Sequence, residues 1–189
     1  MKENEVWDWF SKNNKKLEDF LRSDMTDYSI YNELSRIIST YNGNLFPEIT
    51  GHKSGKYVLI ITCDGIREGI PFVEKLCDSA PAYDNWIIEK FRRPGHTRQL
   101  NFNGLELKES DIKIKYQQRR GVYDVNILIN DYKPNDDRYK SLAFLYLDHF
   151  IGEYNVMTKI GEIDFDILKQ DKDSVTLAEL QGIINTDLN

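Results

Sequence analysis

Cysteine is scarce in this chain: Cys63 and Cys77 are the only two in 189 residues. Neither sits in a Cys-x-x-Cys pair or beside a second soft ligand, so their spacing supports neither redox nor zinc chemistry. Both are expected to be reduced and to fill space in the interior. Histidine is as sparse, at His52, His96 and His149, and no two stand four positions apart as they do in a zinc-protease helix. No metal site is expected. Long hydrophobic runs are missing as well. The richest stretch, Leu142 to Ile151, is interrupted by Asp148 and His149, far short of the roughly 20 apolar residues of a membrane helix. The opening residues, Met1-Lys-Glu-Asn-Glu-Val-Trp7, carry no apolar signal segment. The expectation is a cytoplasmic protein without a membrane span.

An excess of basic charge is also absent. Acidic residues outnumber basic ones 31 to 25, for a formal net charge of -6, which makes nucleic acid an unlikely partner because phosphate contacts demand a basic face. There is no Gly-x-Ser-x-Gly elbow and no phosphate-binding glycine loop. Gly65-Ile-Arg-Glu-Gly69 is a shortened likeness of an anion cradle, but glycine at a strand-to-helix turn is ordinary punctuation. Asp148 and His149 are neighbours on a predicted helix. Adjacent helical residues point about 100° apart, so they do not form a side-by-side dyad, and a histidine satisfied within the core is the simpler expectation. No cofactor and no catalytic residue is implied.

What is present is enough apolar material for a core. Hydrophobic residues are 40% of the chain and aromatics 12%, which argues against disorder. Val6, Trp9, Phe10, Asn13, Leu17, Phe20 and Leu21 recur at helical spacing, as do Ile30, Leu34, Ile37, Ile38 and Tyr41. Thr26 is a candidate cap for the second of these helices, and Asn42-Gly43 ends it. Strands are expected at Leu45 to Thr50 and Lys56 to Cys63, the latter apolar on both faces and therefore central. A short helix follows from Ile66 to Ala80. Trp86 to Phe91, Arg98 to Phe102, Ile112 to Tyr116 and Val122 to Ile129 read as further strands, with Arg119-Arg-Gly121 turning the last two into a hairpin. Asn135 or Asp136 opens a buried helix that Gly152 closes. A strand from Asn155 to Phe165 comes next, then an acidic linker at Lys169 to Asp173. Thr176-Leu-Ala-Glu179 has capping-box spacing and starts a small helix, which should dock through Leu177, Leu180 and Ile184.

This order is not the regular alternation of a doubly wound fold. It predicts an α+β protein built on one largely antiparallel twisted sheet of six or seven strands, with an N-terminal helical hairpin and further helices packed on it. The whole chain is expected to form one domain: residues 1–42 the hairpin, 45–165 the sheet with two helices, and 171–189 a helical tail.

The constellation that stands out is basic. Trp86-Ile-Ile-Glu-Lys-Phe-Arg-Arg-Pro-Gly-His-Thr-Arg98 runs an apolar strand into a proline-glycine turn, with Arg92, Arg93, His96 and Arg98 as candidate binding residues and Trp86 as flat contact area. Lys90, Lys113, Lys115, Arg119 and Arg120 would join them if the strands formed one meander. The competing expectation is a solvated face balanced by Glu89, Glu106, Glu109 and Asp111, whose ion pairs contribute little.

The succession Asp64-Gly-Ile, Phe72-Val-Glu-Lys-Leu with Ala80-Pro81, Trp86 with Phe91-Arg-Arg-Pro94, and Leu147-Asp-His-Phe-Ile-Gly-Glu-Tyr-Asn-Val156 with Ile160-Gly161 resembles a family of uncharacterised bacterial proteins. The likeness spans roughly Asp64 to Phe165. It implies a bacterial cytosolic origin and carries no reaction or catalytic residue with it.

Two functions remain in view. The favoured one is a non-enzymatic accessory or immunity-type domain that binds an as yet unidentified protein through electrostatic complementarity. The alternative is a small hydrolase or transferase for an anionic substrate or ligand, held by Arg92, Arg93 and His96 beside Asp64 or His149.

Overall fold

A computed structural model describes residues 1–51, 54–95, 99–169 and 173–186. The chain is α+β, with six α-helices and eight strands among the described residues. The strands form three small sheets rather than one large one. Contacts divide the chain into two compact units, Met1–Arg92 and Arg93–Asn189.

In the first unit, α1 (Glu3–Arg22) and α2 (Ser29–Tyr41) form the expected helical pair. Val6, Phe10, Leu17 and Phe20 are buried as their spacing required, and Trp7 is buried where the sequence pointed to Trp9. Thr26 does not cap α2; the helix starts after Asp27, whose carboxylate accepts the Ser29 N–H at 2.9 Å. The helices are followed by β1 (Phe46–Gly51), β2 (Tyr57–Thr62), a single 3-10 turn at Arg67–Gly69, α3 (Ile70–Asp78) and β3 (Trp86–Lys90). β2 lies between antiparallel β1 and parallel β3, which is why Tyr57-Val-Leu-Ile-Ile61 carries no polar face. The parallel pair corrects the expectation of a largely antiparallel sheet. Parallel neighbours need a crossover, and α3 supplies it.

Two local constraints keep β3 from continuing into the next strand. Phe91 is buried yet adopts φ 58°, a left-handed conformation rare for a bulky residue, and Pro94 has no N–H for a ladder. The chain leaves the sheet there, so the expected meander of basic strands does not form.

The second unit begins with the hairpin β4 (Gln99–Phe102) and β5 (Leu105–Lys108). Its turn is Asn103-Gly104, with φ 48° and 78°, as a type I′ turn requires. A second hairpin joins β6 (Ile112–Arg119) to β7 (Val122–Ile129) through Arg120 and Gly121, at φ 54° and 79°. Then come α4 (Asp137–Ile151), α5 (Glu153–Lys159), β8 (Ile160–Ile167) and α6 (Leu177–Thr186). β8 runs parallel to β7. Each unit thus repeats one arrangement: a hairpin whose second strand gains a parallel neighbour after a helical crossover.

Asn155 to Lys159 is helical, not the start of a strand. Gly152, at φ 84°, ends α4 and lets a new helix begin at once, with the Val156 N–H donating to the Gly152 carbonyl at 3.0 Å. Burial of the apolar Met157 side chain outweighs the strand preference of Val156 and Thr158. A side chain at Gly152 would meet the Pro94 ring, with Cδ 2.7 Å from its Cβ. One face of the β6-β7-β8 sheet supplies Ile112, Ile114, Tyr123, Val125, Ile127 and Ile129 to the core, covered by α4 and α6. Tyr146 of α4 donates its hydroxyl to the Leu107 carbonyl at 2.7 Å. The α6 capping box forms as expected: the Glu179 N–H donates to Thr176 Oγ1 at 3.1 Å, and the Thr176 N–H to Glu179 Oε2 at 2.6 Å. Leu177, Leu180 and Ile184 are buried in the same core.

Candidate functional site

The opposite face of the β6-β7-β8 sheet is polar, because side chains alternate across a strand. Pairing sets them in transverse rows: Lys115 opposite Asn126 and Asn126 opposite Asp164, then Lys113 opposite Leu128 and Leu128 opposite Asp166. Basic groups therefore lie on β6 and acidic groups on β8. Near the β6-β7 turn the face encloses a concavity of about 270 Å³, lined by Lys115 and Arg119 on β6, Asp124 and Asn126 on β7, and Glu162 and Asp164 on β8.

The polar groups in this hollow differ in how they are used. The register of β7 and β8 slips between Tyr123 and Val125. At that slip the Asp124 carboxylate accepts the Glu162 N–H at 3.0 Å and pairs with the Arg119 Nε at 3.2 Å. Arg119 also donates to Gln117 Oε1 at 2.9 Å. Asp124 and Arg119 are thus held internally. Asn126 Oδ1 is different: it is shielded from solvent and accepts no hydrogen bond among the described residues, a state that costs free energy until a donor arrives. Glu162 and Asp164 beside it are exposed. The hollow thus presents carboxylates on β8 and an amine on β6 to a surface that docks there.

The arginine-rich turn is built otherwise. Arg92 donates Nε to Glu48 Oε1 at 2.6 Å and Nη2 to Asp64 Oδ1 at 2.8 Å, joining β1 to the loop after β2. Trp86 is only 4% exposed, and its indole N–H donates to Glu18 Oε1 at 3.1 Å. It is core rather than contact surface. Arg93 is exposed, while His96 and Arg98 lie outside the described residues, as does His52. Lys90 pairs with Asp78. Lys113, Lys115, Arg119 and Arg120 belong to the second unit and its own sheet.

His149 is exposed rather than a core histidine, and its carbonyl accepts the Gly95 N–H at 2.6 Å. Asp64 sits at φ 50° before Gly65 at 81°. Gly69 is needed because a Cβ there would run into the Cys63 Cβ, so the glycines of this loop serve its tight packing. Cys63 is a buried thiol and Cys77 a half-buried one, and burial pushes the Cys77 thiol up to about 12. Among the described residues no group of three or more His, Cys, Asp or Glu side chains is placed to hold a metal ion, and no helix is long and apolar enough to cross a membrane.

Asn126, Glu162 and Asp164 were not singled out by motif. Their signal in the sequence is the alternation Glu162-Ile-Asp-Phe-Asp-Ile167, which puts acids on one face of a strand and apolar residues on the other.

No protein-family model and no curated protein matches the chain.

Proposed function

We propose that this protein is a non-enzymatic, protein-binding accessory domain of the cytoplasm, in the manner of an immunity protein, and that it engages its partner through the polar face of the β6-β7-β8 sheet in the second unit. The observation that carries this reading is the open polar hollow, with exposed Lys115 on one side of Asn126 and the exposed carboxylates of Glu162 and Asp164 on the other. A partner surface of complementary charge fits it. The open shape favours a protein surface over an enclosed small molecule, which enzymes and carriers usually bury. Of the groups on which the hydrolase or transferase reading relies, the Arg92 guanidinium is already shared by Glu48 and Asp64, which leaves the exposed Arg93 to hold an anion.

The test is affinity capture from lysate of the source organism, with wild type and a Lys115→Glu, Gln117→Glu variant of unchanged melting temperature. One partner retained in near-equimolar amount by wild type and lost by the variant is the expected result. Capture of no such partner, or equal capture by both proteins, would overturn the reading.

A further inference from the structure

The edge of β8 offers more than a polar face. Among the described residues this eight-residue strand pairs on one side only, with β7. Its other edge, over residues 161–167, presents backbone donors and acceptors along a length typical of strand addition. The side chains along it have a strict pattern. Glu162, Asp164 and Asp166 are exposed on the polar face. On the opposite face Ile163 and Phe165 are half-buried, and Ile167 is 44% exposed. Phe144 of α4, 45% exposed, continues that apolar strip with its ring centroid 5.8 Å from that of Phe165.

We infer that β8 is a docking strand for an extended segment of a partner protein that alternates lysine or arginine with apolar residues. The inference rests on the protein-binding reading above and specifies its partner. Side chains directly opposite on neighbouring strands interact, favourably when their charges are opposite. A segment laid along β8 therefore sets its basic residues against Glu162, Asp164 and Asp166. Its apolar residues extend the strip of Ile163, Phe165, Ile167 and Phe144. The same pattern excludes a second copy of this chain. Pairing β8 with β8, apolar face to apolar face, sets acid against acid, and like charges directly opposite are destabilising.

The probe is a ten-residue peptide alternating lysine and valine, titrated into the full chain by isothermal calorimetry and followed by amide NMR. Three control peptides are a scrambled one of equal composition, one with glutamate for lysine, and one N-methylated on the edge that would pair with β8. Saturable binding is expected for the alternating peptide, with amide shifts centred on Ile160–Ile167. Binding should weaken at least tenfold with each control and with the Glu162→Lys, Asp164→Lys variant, whose melting curve is checked first. Failure of the alternating peptide to bind, equal binding of the scrambled peptide, or binding that survives N-methylation overturns the inference. So does a wild-type dimer in sedimentation that the variant abolishes. A captured partner lost with Lys115→Glu, Gln117→Glu but kept with Glu162→Lys, Asp164→Lys also sinks this inference, while leaving the protein-binding reading intact.

Discussion

The indole N–H of Trp86 donates to Glu18 Oε1 across 3.1 Å, with the two residues only 4% and 7% exposed. This bond ties the first residue of β3 to α1 and gives a buried carboxylate its donor. Substituting Trp86→Phe keeps most of the apolar body and strands the carboxylate. A loss of about 1–3 kcal/mol is expected in urea unfolding, the usual cost of a buried acceptor left unmet, and Trp86→Phe with Glu18→Leu should recover part of it. Equal destabilisation by the single and double variants would show that the bond contributes nothing.

Arg92 should behave as a structural residue. Its side chain is 29% exposed and reaches two carboxylates, so Arg92→Ala is expected to lower stability by about 1 kcal/mol, after allowance for solvent screening of a partly exposed pair. Partner capture should be unchanged. A variant with a wild-type melting curve that no longer retains the partner would return Arg92 to the binding surface.

Cys77 should be inert in the native protein. Its thiol is pushed up to about 12, chiefly by burial, and only the thiolate attacks. At pH 8 a disulfide-exchange reagent is expected to leave Cys77 unmodified in native protein and to titrate two thiols after denaturation in the absence of reductant. Mass-mapped modification of Cys77 within minutes under native conditions would contradict this.

Acid should weaken the first unit through Glu3. The Lys75 ammonium, 2.7 Å away, holds the Glu3 carboxyl down to about 2, helped by a hydrogen bond from Tyr41 at 2.9 Å. A carboxyl with a depressed folded-state pKa stabilises fully above its ordinary value of 4.5, and that contribution is lost as pH falls toward 2. Glu3→Gln should therefore be less stable than wild type at pH 6, and the gap should close on acidification through this window. A gap independent of pH would point to packing instead.

Local chemistry made much of the fold legible. The capping box at Thr176 and Glu179, the glycine that ends α4, the turn at Arg120-Gly121 and the central character of β2 all follow from interactions within a few residues or from one strand's own pattern. Asn103-Gly104 carried an equally local hairpin signal, although the strand after it, Leu105–Lys108, has too few apolar residues to stand out. Helix α5 is a different case. Val156 and Thr158 favour a strand, and the burial of Met157 in the folded second unit decides for helix.

The sequence by itself determined the fold class, because composition, apolar period and turn residues act locally. It also held the alternating acids of β8. Tertiary structure decided which strands are neighbours beyond the hairpins, since that pairing depends on long-range burial and on where the chain leaves a sheet, as it does at Phe91 and Pro94. That choice placed Trp86 in the core and spent Arg92 on Glu48 and Asp64. It also set Asp164 beside Asn126 of the β6-β7 hairpin, a juxtaposition that no local pattern encodes.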